Sequence, residues 1–104
     1  MKQYDVYINT DSDTNEGYPY FIDIQTELLE SLNSRVVIPV ASTKPDRSLP
    51  NNICPRVEIS GEQYYLLTHQ ITTVSKSFLK EKEGSLLLNR IDIINSLDFL
   101  LSGI

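Results

Sequence analysis

Apolar and polar residues alternate along the first two thirds of the chain, and this period of two is typical of half-buried β-strands. In the first such segment Tyr4, Val6 and Ile8 alternate with Asp5 and Tyr7. Polar, turn-forming residues separate the alternating segments. The pattern predicts strands at residues 4–8, 20–24, 35–40, 57–59, 64–68 and 71–78.

The segments between the predicted strands carry turn signals of different kinds. The pair Ser60-Gly61 lies between two short strands and predicts a hairpin. Residues 9–17 and 43–52 are longer and polar, and they predict two surface loops. Pro39 lies within the third strand and suggests a sheet edge or a bulge. Residues 80–84 are mostly charged and predict a solvated connection.

An amphipathic helix is predicted at the end of the chain, with Ser85 as its N-cap. Apolar residues recur there at spacings of three and four, the period of one helical face, and we expect this face to bury against the sheet. The fold class is therefore mostly β with one C-terminal α-helix, in a single domain spanning residues 1–104. The apolar stripe consists of Leu87, Ile91, Ile94, Leu97, Leu100 and Leu101.

The composition is that of a small globular domain. Of the 104 residues, 40% are hydrophobic and 22% are charged, so the chain can bury a core without a metal or a disulfide. The formal net charge of −5 argues against autonomous binding to DNA or RNA, which requires neutralised phosphates. No apolar run reaches the length of a membrane span. Because Cys54 is the one cysteine and no signal peptide is evident, a reducing, cytoplasmic compartment is expected.

Few side chains of the chain are suited to catalysis. His69 is the one histidine, and no nucleophile motif accompanies it. The sequence has no Cys/His cluster with metal spacing and no phosphate-binding glycine loop. The acidic loop at residues 9–17 lacks the glycine and glutamate that a calcium loop places at fixed positions. From the residues alone we expect a binding module that is not an enzyme and that uses neither a metal nor a cofactor.

Four segments, in order along the chain, resemble the CcdB family of bacterial toxins. Residues 20–29, YFIDIQTELL, resemble the family's F-V-D-V-Q-S-D segment, and residues 35–40, RVVIPV, resemble its R-x-V-I-P-L strand. Residues 54–59, CPRVEI, resemble the P-x-x-x-I strand before the hairpin turn. The final helix, which ends in Gly-Ile, completes the match. The resemblance covers essentially the whole chain, with the loops as the main differences.

The resemblance implies an antiparallel SH3-like barrel or sheet of the CcdB/MazF (PemK-like) superfamily. It implies a cytoplasmic homodimer that serves plasmid maintenance as the toxin of a type II toxin–antitoxin system. Such a toxin poisons DNA gyrase by binding its A subunit and trapping the cleaved-DNA complex. A cognate antitoxin with a disordered C-terminal half neutralises it, and the complex represses its own operon. Operator DNA is then contacted only through the antitoxin.

The resemblance also implies a gyrase-binding surface, formed by the C-terminal tip and by two aliphatic residues after the F-V-D-V-Q segment. Two features depart from the family pattern. The best-known members carry a tryptophan before Gly-Ile where this chain has Ser102, and an S-V-P segment where it has Thr73-Val74-Ser75. Losing that aromatic contact would cost on the order of a few kcal/mol of binding. The residues carried over are Leu28, Leu29, Asp98, Leu101, Ser102, Gly103 and Ile104.

The two polar loops are the candidates for antitoxin binding, because a disordered segment can wrap mobile polar loops. Carboxylates in the first loop would favour basic side chains of the antitoxin. The candidate antitoxin-binding residues are Asp11, Asp13, Glu16, Thr43 and Asp46.

Two other interpretations remain open. With Ser102 at the tip, a divergent CcdB-like protein could keep antitoxin binding while its target is weakened or altered. A MazF- or PemK-type endoribonuclease, from the same superfamily, would cleave RNA with an arginine, and Arg35 begins a strand in a comparable place. The Gly-Arg-Pro signature of those enzymes is absent from this chain.

Overall fold

The structure is a computed structural model that describes residues 1–103. The described part is mostly antiparallel β-sheet followed by one C-terminal α-helix, as the sequence predicts. The strands are β1 (Asp5–Ile8), β2 (Tyr20–Asp23), β3 (Ser34–Ala41), β4 (Arg56–Ile59), β5 (Glu62–Leu66), β6 (Thr72–Ser75) and β7 (Lys82–Ser85), and the helix is α1 (Arg90–Ser102).

The seven strands form one sheet in the order β4-β5-β3-β2-β1-β7, with β6 paired to the free half of β3. On that side β3 pairs with β6 over residues 34–37 and with β5 at Val40 and Ala41. The hydroxyl of Ser60, in the β4–β5 turn, donates to the carboxylate of Glu83 in β7. This contact joins the two ends of the sheet, which therefore curves into a half-barrel.

The prediction of an edge or a bulge at Pro39 is wrong, because β3 has neighbours on both sides. Pro39 pairs with Phe21 of β2. On its other side the neighbour of β3 changes from β6, which ends its pairing at Val37, to β5, which begins at Val40. Proline has no N–H and cannot donate to a neighbouring strand. Pro39 lies between the end of the β6 ladder and the start of the β5 ladder, so the change of partner accommodates the missing donor.

The connection predicted at residues 80–84 is a strand for most of its length. Strand β7 pairs with β1, with Ser85 opposite Asp5 and Gly84 opposite Val6. Its residues are largely exposed, so they carry no alternation of apolar and polar side chains. An edge strand with charged side chains resists pairing with other chains, and the same charges conceal it in the sequence.

The hairpin predicted at Ser60-Gly61 is confirmed. The two residues have φ angles of 52° and 85°, and both lie in the left-handed region that a two-residue hairpin turn requires. Glycine adopts this conformation without steric cost. The turn therefore fixes the register of β4 against β5, with Ile59 opposite Glu62.

The face that helix α1 buries overlaps the predicted apolar stripe only in part, at Leu97 and Leu100. Ile93 and Ser96 are fully buried, and Leu97 packs against the main core. The hydroxyl of Ser96 donates to the carbonyl of Ile93 over 2.8 Å and lies 2.9 Å from Oγ1 of Thr68. Because Ser96, at the centre of the inner face, is polar, the apolar spacing in the sequence predicts the neighbouring stripe as the buried one.

The stripe on the outer side of the helical segment is apolar and exposed. Leu87, Ile91 and Ile94 are 52%, 60% and 40% exposed, and Leu101 is 82% exposed. The prediction of Ser85 as the N-cap is wrong, because the N-cap of α1 is Asn89 and that of the preceding 3₁₀ turn Leu87–Asn89 is Leu86. The hydroxyl of Ser85 accepts from the backbone N–H of Leu87 over 3.2 Å, at the entry to that turn.

A fully buried ion pair joins β2 to β3. Arg35 donates from Nη2 and from Nε to Oδ2 of Asp23, over 2.6 and 3.1 Å, and both side chains are completely buried. Burial raises the pKa of Asp23, and the hydrogen bond from Arg35 opposes that shift. Nη1 of Arg35 also donates to Oε2 of Glu30 over 3.0 Å. The cation thus has carboxylate partners on two sides.

Glu30 extends this ion pair to the surface. Its Oε1 lies 3.2 Å from Nζ of Lys76 and 3.3 Å from the amino group of Met1. Hydrogen bonding from Lys76 is the main cause that holds the pKa of Glu30 below its ordinary value. The network ties the first residue, the turn after β2, the start of β3 and the turn after β6 to one another.

Replacing Arg35 by methionine is expected to destabilise the fold by about 3–5 kcal/mol, because the buried carboxylate of Asp23 loses its cation. Urea unfolding measures the change. Arg47→Met is the matched control: Arg47 is exposed and forms no ion pair among residues 1–103, so its loss should stay within about 0.5 kcal/mol. Equal losses in the two variants would contradict the assigned role of Arg35.

Glu30→Gln is expected to lower the free energy of unfolding at neutral pH and to lose this effect in acid. Because the pKa of Glu30 is lowered in the folded state, its stabilisation is present above the ordinary glutamate pKa and is lost as pH falls through the lowered value. Unfolding curves of the wild type and of Glu30→Gln across the acid range measure the difference between their free energies of unfolding. Glu27→Gln, which removes a carboxylate without an ion pair in the described chain, is the control. A difference in the free energy of unfolding that widens in acid contradicts the role assigned to Glu30.

Candidate functional site

The end of helix α1 is an exposed tip with a defined backbone. The N–H of Gly103 donates to the carbonyl of Phe99 over 2.9 Å, and Gly103 adopts a φ of 73°. This is the left-handed conformation with which glycine commonly ends a helix. The hydroxyl of Ser102 donates back to the carbonyl of Asp98 over 2.8 Å. Asp98, Ser102 and Gly103 are exposed, as is Leu101, whereas Ile104 lies outside the described residues.

The inner side of the tip is anchored in the fold. Phe99 and Leu100 are partly buried and pack against a cluster that contains Ala41, Cys54 and Leu67. The tip therefore projects from a packed base, and its exposed residues do not contribute to that base. This geometry supports the expectation that the tip is a docking point.

The second candidate segment, Leu28-Leu29, is also exposed. It lies in the 3₁₀ turn Glu27–Leu29, which Thr26 caps by accepting from the N–H of Leu28 over 3.3 Å. Leu28 is 91% exposed. The side-chain amide of Gln25 donates to the carbonyl oxygens of Leu29 and Ser34 over 3.3 and 3.2 Å. A polar scaffold thus holds an apolar turn in solvent.

The two candidate segments do not form one patch within the chain. The turn that carries Leu28 adjoins the beginning of the helical segment, where Glu27 and Leu87 line the same cleft of about 310 Å³. Gly103 lies beyond the far end of α1, whose 13 residues span about 20 Å. A surface that uses both segments therefore requires either a large partner or a second copy of the chain.

The two polar loops meet at one cleft. Asp13 and Thr14 of the first loop and Thr43 of the second line a cleft of about 350 Å³. The first loop is internally bonded, because Nδ2 of Asn9 donates to Oγ1 of Thr14 over 3.0 Å and to the carbonyl of Tyr18 over 2.8 Å. The structure therefore brings the two loops together, as expected for a single binding surface.

The remaining loop residues have different roles. Oδ1 of Asp11 accepts from the N–H of Asp13 and shapes the loop. Glu16 is exposed. Asp46 accepts from both the N–H and the hydroxyl of Ser48, and these hydrogen bonds lower its pKa. Asp46 belongs to its own turn and does not line the cleft between the loops.

A basic cleft lies beside the cleft between the loops, and it is not among the sites predicted from the sequence. Ser42, Thr43, Lys44, Arg47 and Tyr65 line a space of about 340 Å³. The net charge of −5 directs attention to the acidic residues. The sequence does contain two cations, Lys44 and Arg47, three residues apart in a loop of Ser, Thr and Pro residues. Tyr65, which lines the cleft with them, lies in β5, far away in the sequence.

His69 and Cys54 are neighbours, although nothing in the sequence places them together. Nδ1 of His69 lies 3.8 Å from Sγ of Cys54. Burial raises the pKa of the Cys54 thiol, which disfavours the nucleophilic thiolate. Within residues 1–103 no group of three or more His, Cys, Asp or Glu side chains is placed to share a metal ion. The described helix is also too short and too polar to cross a membrane.

Arg35, the residue that an endoribonuclease interpretation would use, lies inside the fold. Its side chain is completely buried and is bonded to Asp23 and Glu30. A guanidinium in this position cannot contact a substrate in solvent. The salt-bridged role is the one that the structure supports.

Comparison with known proteins gives a family and a fold. The model of the family described as "CcdB protein" matches residues 3–103. Among solved structures, an endoribonuclease in complex with its cognate antitoxin, from Mycobacterial species, aligns with a TM-score of 0.73 and 15% sequence identity. The alignment covers 97% of this chain and 94% of that chain. This confirms the predicted fold class, a mostly antiparallel half-barrel with a C-terminal helix of the CcdB/MazF kind.

The prediction that the chain is not an enzyme is contradicted by this comparison. A protein that shares the fold along almost its whole length is an endoribonuclease. The sequence-based argument was the absence of familiar catalytic motifs. That argument fails because the fold itself is compatible with catalysis in a protein of very different sequence.

Proposed function

This chain belongs to the CcdB protein family, and we propose on that premise that it is the toxin of a toxin–antitoxin system. Its target is the A subunit of DNA gyrase, and it acts by trapping the complex of gyrase with cleaved DNA. Family membership and the shared fold of a toxin-like endoribonuclease bound to its antitoxin support the toxin assignment. The identity of the target rests on the surface described above.

The observation that carries the gyrase proposal is the exposed tip of α1. Leu101 is 82% exposed, and the space around the position of a Cβ on Gly103 is open to 4 Å. Apolar burial of one such side chain in a partner contributes about 1.5–3 kcal/mol. Ser102 offers little contact area, so Leu101 and the pair Leu28-Leu29 carry more of the contact here. Asp98 and Ile104 complete the proposed gyrase-binding set.

The protein acts as a homodimer with its two C-terminal helices near the dyad. The outer stripe of the helical segment, Leu87, Ile91 and Ile94, is exposed in the single chain, and burying such a stripe favours association. An isologous dimer presents every contact twice. Two copies would also supply a gyrase cleft with both the tip and the Leu28 turn.

A cognate antitoxin neutralises the toxin at the two loops. The cleft shared by Asp13 and Thr43, with Asp11, Glu16 and Asp46 around it, is the proposed binding surface. Repression of the operon is exerted by the complex, and operator DNA is contacted through the antitoxin, because a chain with a net charge of −5 is a poor ligand for phosphates. The protein functions in the cytoplasm, where gyrase is found.

Endoribonuclease activity is the second candidate, and the observation in its favour is the fold likeness to an endoribonuclease. Arg35 is not its catalytic group, because it is buried in an ion pair. Purified protein incubated with RNA, and separately with gyrase and supercoiled DNA, distinguishes the two activities. RNA cleavage without gyrase-dependent DNA cleavage would overturn the gyrase proposal.

Gly103→Arg, or deletion of residues 102–104, is expected to abolish growth arrest on induction while leaving the fold intact. A Cβ at Gly103 meets no atom within 4 Å, so the cost to stability is the strain of a positive φ, about 1 kcal/mol. Growth assays and thermal melting of each variant measure the two effects. Ser102→Trp is expected to strengthen gyrase inhibition.

Gly61→Arg is the matched control for the tip variant. Gly61 also has a positive φ, 85°, and open space around its Cβ position, but it lies in the β4–β5 turn. It should show the same loss of stability and full growth arrest. If the tip variants stay fully toxic, or lose toxicity only by melting, the tip is not the gyrase-binding surface.

Ile91→Glu is expected to convert the dimer to a monomer, because it places a charge in the outer stripe where Ile91 is 60% exposed. Light scattering at micromolar concentration measures the mass. Gln63→Glu adds the same charge at an exposed position of β5, outside the helix, and should leave the dimer unchanged. A wild-type protein that is monomeric at micromolar concentration contradicts the dimer.

A further inference from the structure

The cleft between the loops and the basic cleft adjoin each other, since Thr43 lines both. We name the two together the divided groove. On one side of Thr43 the groove is lined by the carboxylate of Asp13. On the other side it is lined by Lys44 and Arg47. The charged side chains that line the groove therefore change sign across Thr43.

The basic half of the groove is arranged in advance of any ligand. Nζ of Lys44 donates to Oδ1 of Asn51 over 2.6 Å and to the carbonyl of Leu49 over 3.3 Å, and lies 5.8 Å from the centre of the Tyr65 ring. These contacts fix the ammonium group, so less side-chain freedom is lost on binding. One of its three donors remains for a ligand. Arg47 forms no ion pair within residues 1–103, so its guanidinium is available to a carboxylate or a phosphate.

We propose that the divided groove binds one extended peptide segment whose acidic residues lie over Lys44 and Arg47 and whose basic residues lie over Asp13. This rests on the proposed function, because the segment would belong to the antitoxin, and it specifies the order of charges that the antitoxin must carry. A peptide can change the sign of its charge along its length. A nucleic acid strand cannot, and one that leaves the basic half would run onto the carboxylates of the first loop.

The apolar surface within the groove fits the same occupant. Tyr18 is half-buried and contributes an accessible ring to the lining of the cleft that contains Asp13, whereas Ala41 and Leu67 in that lining are buried. An extended chain presents successive side chains to opposite faces, so an apolar side chain next to a charged one can contact the ring. The groove thus offers charged contacts of both signs and one apolar contact.

The test uses purified full-length protein labelled for NMR and four probes. The first is a short capped peptide with lysines in one half and glutamates in the other. Two companion peptides replace either the lysines or the glutamates by serine, and the fourth probe is an oligouridylate of equal length. The mixed peptide is expected to bind about fivefold tighter than either companion, the size of one partly exposed charge pair. It should shift the amide resonances of Gly17, Thr43 and Arg47.

Changing one charge in the groove should change which peptides are preferred, and a variant that merely failed to fold would not show such a change. Arg47→Glu cancels the positive charge of the basic half, because Lys44 remains there, so this variant should lose the preference for the mixed peptide over the lysine peptide. Asp13→Lys makes both halves basic and should bind the glutamate peptide best. Lys2→Glu makes the same charge change at an exposed residue of a different cleft, and it should keep the preference for the mixed peptide.

Two outcomes overturn the proposal. Tighter binding of the oligouridylate than of the mixed peptide, with shifts at Arg47, would assign the basic half to nucleic acid. Unchanged peptide preferences in Arg47→Glu and Asp13→Lys would show that the groove is not the binding surface. Neither result depends on gyrase or on growth arrest, so failure of the tip experiments would overturn the gyrase target and leave the peptide preference as measured.

Discussion

The buried ion pair between Arg35 and Asp23 is the constraint on which the rest of this structure depends. A charged group without a partner in the interior is strongly unfavourable, so the strands that carry the two residues must meet in one register. Asp23 pairs with Val37 across the sheet, close to Arg35. Glu30 then draws the turn after β2 against the same cation. The exposed leucines of that turn are presented by a charged scaffold within the fold.

The surfaces proposed to bind partners are displaced from this scaffold. The tip of α1 is anchored by Phe99 and Leu100, which pack against a separate cluster that contains Cys54 and Leu67. The outer stripe of the helix is exposed because the inner face, centred on Ile93 and Ser96, already fills the contact with the sheet. Substitutions on the tip or in the stripe can therefore alter binding with little effect on the core.

The distribution of charge decides more about recognition than its sum. A net charge of −5 describes a protein that repels nucleic acid at long range. It does not describe the boundary at Thr43, where Asp13 of one loop lies on one side and Lys44 and Arg47 of the other loop lie on the other side. A surface of that kind selects partners by the order of their charges, since like charges placed together oppose binding.

The sequence by itself determined the strands with clear alternation, the hairpin at Ser60-Gly61, the C-terminal helix and the family, because each depends on neighbouring residues. It also named the candidate tip residues, through the family resemblance. Only the tertiary structure decided that Pro39 lies in a central strand and that residues 82–85 pair with β1. It also decided which helical face is buried, since Ser96 finds its partner in Thr68. The divided groove has the same origin. In each case the deciding contact joins residues distant in sequence, and no local pattern records such a contact.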